Sequence, residues 1–387
     1  MPHSVKALVK PSLLIWARKK SGIHIDELAR RLDISVEKYQ GWESGEEALT
    51  VAKLRKLAEI YKRPLAVFYL PEPPTTFDTL KDFRLLPNAD FLEITPQLRV
   101  EIERIQYRRE VAMELDAKLG VQRPDFPQIP HTLSRPDEFA RKVRDLIGVT
   151  ADRQFRWKDS AAALKGWIAA LEDFGVLIFQ ISKVAIEEMR GLAINQWPIP
   201  VIGLNGADTP NGRIFSLIHE FIHLLVGEAG LCNMHEVSHG STREENLEIF
   251  CNRVAGAVLI PEDLLLSEDI VRSHESSQEW SDLEIVKLSR RFSVSREAIL
   301  RRLLIVGKTS PDFYQEQRAK YLKEYQQAED KGDIIVHPDK IAKRNLGNAF
   351  LRLVFSAYYK ELINVSNLSD YLGIKLPQIW RIEKEVA

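Results

Sequence analysis

Apolar positions recur at three- and four-residue spacing in short blocks between residues 11 and 70, the signature of brief amphipathic helices joined by tight connections. Blocks at 13–20 and 25–32 predict the first two helices. Asp33-Ile34-Ser35 predicts a turn in which Ser35 caps a third helix, running through Trp42 and Glu43 to a stop at Gly45. Val51, Leu54, Leu57, Ala58 and Tyr61 share one face of the next helix, and the apolar run 64–70 closes the unit. Pro71-Glu72-Pro73-Pro74-Thr75-Thr76 is a stiff polar linker. Beyond it, Thr95-Pro96 opens a long charged helix over 97–119, residues 124–136 form a proline-punctuated loop, and helical patterning continues to about residue 171.

The period then shortens to that of strands. Residues 176–180, 190–194 and 200–205 are β-rich runs, and a turn at 208–212 leads from them into an uninterrupted apolar helix. Another helix opens at Ser241-Thr242-Arg243-Glu244 and carries Leu247, Phe250, Cys251, Val254 and Val258 before Ile260-Pro261 ends it. Residues 283–306 read as helix, turn, helix. The last sixty or so residues predict one helix over 345–362 and a shorter pair, 366–372 and 377–383, with a turn at Gly373. The fold class is α+β, predominantly α, with a small sheet packed on the apolar helix.

That helix, Phe215-Ser216-Leu217-Ile218-His219-Glu220-Phe221-Ile222-His223-Leu224-Leu225, contains three ionisable groups where the pattern calls for core. Four-residue spacing stacks His219 and His223 one turn apart on one face, with Glu220 beside them. Burying two imidazoles and a carboxylate without partners costs several kcal/mol. A divalent metal offsets that cost, since two neutral imidazoles one turn apart can close on a tetrahedral Zn2+ and leave Glu220 to act on a water. A catalytic zinc takes a third protein ligand. Glu248 is the best candidate, on an apolar helix with Asn252 one turn later as a supporting polar group; Glu228, His235, Glu236, His239, Glu244 and Glu245 are its rivals. Candidates to stabilise an oxyanion are His235, His239 and Arg213.

Composition changes little in this picture. Lys plus Arg, at 54, nearly balance Asp plus Glu, at 55, so any nucleic-acid contact has to come from a local patch. Two cysteines, Cys232 and Cys251, are too few for a disulfide framework and fit a reducing compartment. No window approaches the roughly eighteen apolar residues of a membrane span, and the first residues lack a signal segment, which predicts a cytoplasmic protein without a membrane partner.

The pattern D-E-L-A-R-R-L-D-I-S, then W-E-S-G, then K-L-A-E-I-Y-K-R-P resembles the five-helix Cro/repressor-type helix-turn-helix. The resemblance implies that the third helix enters a major groove of double-stranded DNA and places Ser35, Glu37, Lys38 and Gln40, with Gly41, near base edges. Glu37 and Glu43 against a single Lys38 weaken a phosphate-facing surface, so a helix-turn-helix kept for protein docking is the alternative. Arg18, Lys19, Lys20, Arg30 and Arg31 are available to grip the backbone.

F-S-L-I-H-E-F-I-H-L-L, followed by E-I-F-C-N-R-V-A-G-A-V-L-I-P and preceded by R-G-L-A-I and P-V-I-G-L-N, resembles the ImmA/IrrE metallopeptidases, in the subset with an N-terminal repressor-type helix-turn-helix. The resemblance implies a zincin-like, gluzincin-type core with Glu248 as third ligand. It also implies cleavage of a repressor-like regulator in stress response, mobile-element induction or phage-related control. Phe221 and Ile222 depart from the commoner H-E-L-G-H and are expected to narrow the space near the ligands. The expected organisation is a helix-turn-helix domain at 1–70, a linker at 71–76, a helical connection at 77–155, the peptidase core at 156–266, a second helix-turn-helix-like segment at 267–310 and a C-terminal helical region at 311–387. The expected function is a Zn2+ endopeptidase, with Mn2+ as the alternative metal. The rival reading is a DNA-binding transcriptional regulator or antitoxin whose metal site is structural or sensory, and an intact Glu220 favours the enzyme because a structural site has no use for a general base.

Overall fold

The computed structural model describes residues 5–74, 94–130, 132–227, 230–232, 242–274, 278–329 and 338–384. The chain divides into two compact units, residues 1–107 and 108–387. The expected linker positions Thr75 and Thr76 lie outside the described residues, as do Glu228, His235, Glu236 and His239. No helix among the described residues is long and apolar enough to cross a membrane.

In the first unit, α1 (Pro11–Ser21), α2 (Ile25–Leu32), α3 (Val36–Ser44) and α4 (Val51–Ile60) are followed by a 3-10 turn, Leu65–Tyr69, which makes the fifth helix. They enclose a core of Leu13, Leu28, Tyr39, Leu54, Leu57 and Phe68, all inaccessible to solvent. Ser35 caps α3 by accepting from the Lys38 amide, and Gly45 ends it in the left-handed region. A long helix, α5 (Pro96–Leu119), begins in this unit, where Glu103 accepts from Arg63 at 2.8 Å.

In the second unit, α6 (Pro136–Ile147), α7 (Ala151–Phe155) and α8 (Ser160–Asp173) lead to a sheet of β1 (Leu177–Ile181), β2 (Gly191–Ile194), β3 (Val201–Asn205) and β4 (Gly230–Cys232), in the order β1-β3-β2-β4. β1 and β3 are parallel, with Leu177 opposite Val201, whereas β2 runs antiparallel to β3 and to β4. Every residue of β1, β2 and β3 is buried, which is why these runs are almost continuously apolar. β4 is an addition to the expected three strands; its three residues are too short a run for a periodic signal. Arg109 fixes the connection between β2 and β3 by donating to the carbonyls of Gln196, Trp197 and Ile199.

The apolar helix is α9 (Pro210–Val226), and it lies against α8, β2 and β3. Thr209 caps it by accepting from the Gly212 amide, Pro210 takes the first turn, and Gly227 ends it. α10 (Arg243–Leu259) packs on α9 and α6 after a reciprocal capping box between Thr242 and Glu245. Its C-terminal carbonyls are held by Arg144, which donates to Val258 at 2.7 Å, and by Gln154, which donates to Leu259 at 2.9 Å. Two short helices, α11 (Glu262–Ser267) and α12 (Asp269–Arg272), precede α13 (Asp282–Phe292), α14 (Arg296–Ile305) and α15 (Pro311–Glu329). Last come α16 (Pro338–Leu346), α17 (Asn348–Tyr359), α18 (Val365–Leu372) and α19 (Leu376–Glu383).

The helix expected over 345–362 is instead the end of α16 and the whole of α17. Gly347, at φ 70°, breaks the chain between them, and the buried Glu172 carboxylate accepts from the Ala349 amide to cap α17. Burial pushes the Glu172 carboxyl up from its ordinary value, against the stabilising pull of that amide and of Arg352.

Among the described residues the same helix-turn-helix corner occurs three times. In α2–α3, α13–α14 and α18–α19 the first helix ends on a left-handed residue, Asp33, Ser293 or Gly373, followed two residues later by the N-cap of the second helix.

Candidate metal centre

His219 and His223 project from one face of α9 into the unit's interior, and Glu248 reaches them from α10. The two Nε2 atoms are 3.0 Å apart. His219 Nε2 lies 3.3 Å from one Glu248 oxygen, and His223 Nε2 lies 3.1 Å from the other. Ligand atoms about 2.05 Å from a tetrahedral zinc stand about 3.3 Å from each other, so this triangle has the edge lengths of one face of such a site. Among the described residues these three are the one His, Cys, Asp and Glu group that converges in this way.

The electrostatics favour the ligand protonation state of His219 and of Glu248. Burial lowers the His219 pKa most strongly, with His223 acting in the same direction, while Glu248 and the Asn252 side chain oppose it. Glu248 is held well below the ordinary carboxylate range, because hydrogen bonding from His219 and His223 outweighs the cost of its own burial. Two neutral imidazoles and one carboxylate are the donors that a divalent ion with nitrogen preference requires. Cys251 stands behind the site, its Sγ 3.9 Å from His223 Nδ1, as a buried free thiol whose pKa burial pushes up.

Glu220 is also buried, and β2 is shaped around it. A Cβ built on Gly191 would stand 2.6 Å from Glu220 Oε1 and 2.9 Å from its Cγ, so only a glycine lets the strand pass this carboxylate without a shift. Sequence reading had singled out the strand but not this residue. The signal was a glycine opening an otherwise apolar strand, which marks close backbone approach.

Phe221 and Ile222, which depart from the commoner H-E-L-G-H, are both fully buried. Phe221 stands edge-on to Phe126 and Phe174, at 6.2 and 5.6 Å between centroids, and Ile222 is part of the same core. Helical phase turns Phe221, two residues beyond His219, away from the face that His219 and His223 share. Arg213 donates to Gln180 of β1 at 2.7 Å and is therefore committed to the sheet. The Glu244 side chain is outside the description, and Glu245 is used by the capping box.

In the first unit Ser35, Glu37, Lys38 and Gln40 all lie on the exposed side of α3, whereas Gly41 is buried. Glu43 corrects the charge reading. Its carboxylate accepts from Arg18 at 2.8 Å and from the Tyr39 hydroxyl at 3.1 Å, so it faces the bundle and does not oppose phosphates. Glu37 is left as the acid of that exposed set.

Two buried histidines and a half-buried glutamate thus meet on two packed helices beside a small sheet. Residues 171–304 match the family model of the IrrE N-terminal-like domain, a peptidase family, and residues 14–68 match a helix-turn-helix model. The chain thus carries a segment similar to the peptidase domain of the ImmA/IrrE kind and, before it, a segment similar to a helix-turn-helix, the two resemblances that the motifs carried. No curated protein matches it.

Proposed function

We propose that the chain is a zinc-dependent endopeptidase that cleaves a repressor-like regulatory protein, and that residues 14–68 bring it to double-stranded DNA or to a protein partner. The observation that supports this best is the triangle of His219, His223 and Glu248, with a further buried carboxylate, Glu220, adjoining it on α9. Zinc bound there would polarise the scissile carbonyl and ease the ionisation of a water at neutral pH. The two imidazoles favour zinc over manganese, which prefers an oxygen-rich donor set.

The chain's own residues divide the remaining work. His219, His223 and Glu248 hold the ion, His219 and Glu248 in the protonation states that their surroundings already favour. Glu220 takes the proton of the attacking water and passes it to the leaving amine, acting first as base and then as acid. Asn252, one turn beyond Glu248, steadies His219. Gly191 leaves Glu220 the space to hold its position. Its replacement by Ala is expected to keep metal content while lowering kcat, by up to about 100-fold if the carboxylate moves by an ångström. Normal kcat in a Gly191→Ala chain, measured beside its metal content, would remove this residue from the account.

The test of the whole reading is to mix the purified, zinc-loaded chain with the products of the genes beside its own, any repressor-like protein among them first, and look for discrete fragments on a gel. The fragments should disappear with chelator. A chain that holds metal fully, cuts no such protein and still binds DNA would favour the regulator with a structural or sensory metal.

A further inference from the structure

We propose that α18–α19 is a second DNA-binding helix-turn-helix, distinct from residues 14–68. The inference starts from the three corners compared position by position. Leu28, Leu32, Tyr39 and Trp42 are the buried anchors of the first corner, and Leu368, Leu372, Ile379 and Ile382 occupy the same relative positions in the third. In the middle corner the last anchor is replaced by a charged residue, the buried Arg302. The half-buried residue after the left-handed one, Ile34 or Ile374, is also shared. In the third corner the Ser369 hydroxyl donates to the Ile374 carbonyl at 2.8 Å and braces the turn. α17 packs on α18, and Tyr358 meets Trp380 of α19 at 5.8 Å, which completes a three-helix unit.

Geometry alone does not make a reader of DNA, as the middle corner demonstrates. Its second helix, α14, is covered by α15. Arg296 is bound by Glu324 and stacks on Tyr321, while the inward Arg302 is taken up by Asp137 and the Ile260 carbonyl. That corner is a packing device within the unit.

α19 differs in what it leaves open. Lys375, Leu376 and Pro377, its N-cap and first turn, are exposed, with Leu376 at 37% and Lys384 exposed at the other end. These first-turn positions correspond to Ser35, Val36 and Glu37 of α3. Where α3 presents a carboxylate, α19 presents none before Glu383. The N-terminal turn of the second helix is the part that meets base edges in a major groove, where exposed apolar groups contact thymine methyls and lysines take phosphates. From Pro338 to Lys384 the chain carries eight Lys and Arg against four Asp and Glu. Asp339 is paired with Arg381 at 3.0 Å and accepts from Gln378 at 3.3 Å, which cancels one charge of each sign and leaves the surplus unchanged. The surplus positive charge and the open first turn fit a polyanionic duplex.

The test uses the full chain and a labelled pool of random-sequence duplexes, titrated across a salt series. Lys375→Glu with Lys384→Glu should weaken binding and flatten the slope of log affinity against log salt by about two units, about 0.9 for each lost phosphate contact. Lys375→Arg with Lys384→Arg should retain it. Melting temperature and metal content of each variant confirm that the fold is intact. The same pair is introduced into a chain carrying Lys38→Glu and Gln40→Glu, where the remaining affinity should disappear. Unchanged affinity and slope on losing Lys375 and Lys384 in both backgrounds would overturn the proposal, as would complete loss of DNA binding in the Lys38→Glu, Gln40→Glu chain alone. If that N-terminal pair has no effect while the C-terminal pair abolishes binding, the docking role of residues 14–68 is favoured and the present proposal stands.

Discussion

Replacing Glu220 by Gln is expected to lower kcat/KM for the protein substrate by about 100- to 10,000-fold, the range that a positioned general base supplies. The amide has nearly the same shape as the carboxylate, so it fills the space beside Gly191 and leaves α9 seated on β2. What it lacks is basicity. His219, His223 and Glu248 are untouched, so metal content, measured by atomic emission on the purified protein, should equal that of the wild type. A fall in kcat and kcat/KM together, with KM little changed, is the pattern of an interaction made in the transition state. Loss of metal along with activity would make Glu220 a ligand or a folding residue, and full retained proteolysis would remove it from the mechanism.

Much of the site was legible because helical period places His219 and His223 on one face whatever surrounds them. The start of α9 was less so, since residues 208–212 read as a turn, whereas Pro210, Asn211 and Gly212 already form the helix's first turn behind the Thr209 cap. Glu248 was nominated by pattern alone, and its approach depends on how α10 crosses α9, which is a tertiary matter. Gly191 carried a local signal of close approach, but which group approaches was beyond reach for the same reason, since Glu220 stands twenty-nine residues later. Glu43 shows the converse failure. An acid on a charged helix was assigned to the outer face, but Arg18 and Tyr39, from an earlier helix and an earlier turn, draw it inward. The break at Gly347 was missed because the apolar rhythm of α16 continues into α17, and the group that stabilises the break, Glu172, comes from α8.

Glu248→Ala is expected to reduce metal affinity by more than the roughly 10- to 100-fold that accompanies loss of an outer hydrogen-bonding partner, a loss that Asn252→Ala should itself produce. Glu248 is one of three donors, and its helix is held at both ends, by the capping box at Thr242 and by Arg144 and Gln154 at Val258 and Leu259. A ligand so braced loses little freedom on binding the ion, and with His219 and His223 it completes a set of three donors. His235→Ala and His239→Ala are therefore expected to bind metal normally. The metal-free wild type should also show what Glu248 does to the fold. Its depressed pKa adds stability that is fully present above the ordinary value of 4.5 and is lost as pH falls below it. His219, whose pKa is lowered from 6.5 by burial, removes stability as pH falls below that value, because the unfolded chain takes up the proton first. Melting temperatures of chelated protein should thus decline below about pH 6.5 and more steeply below about pH 4.5, the second step being smaller in Glu248→Ala. Normal metal content in Glu248→Ala, with loss in a His235 or His239 variant, would transfer the third ligand to the intervening segment.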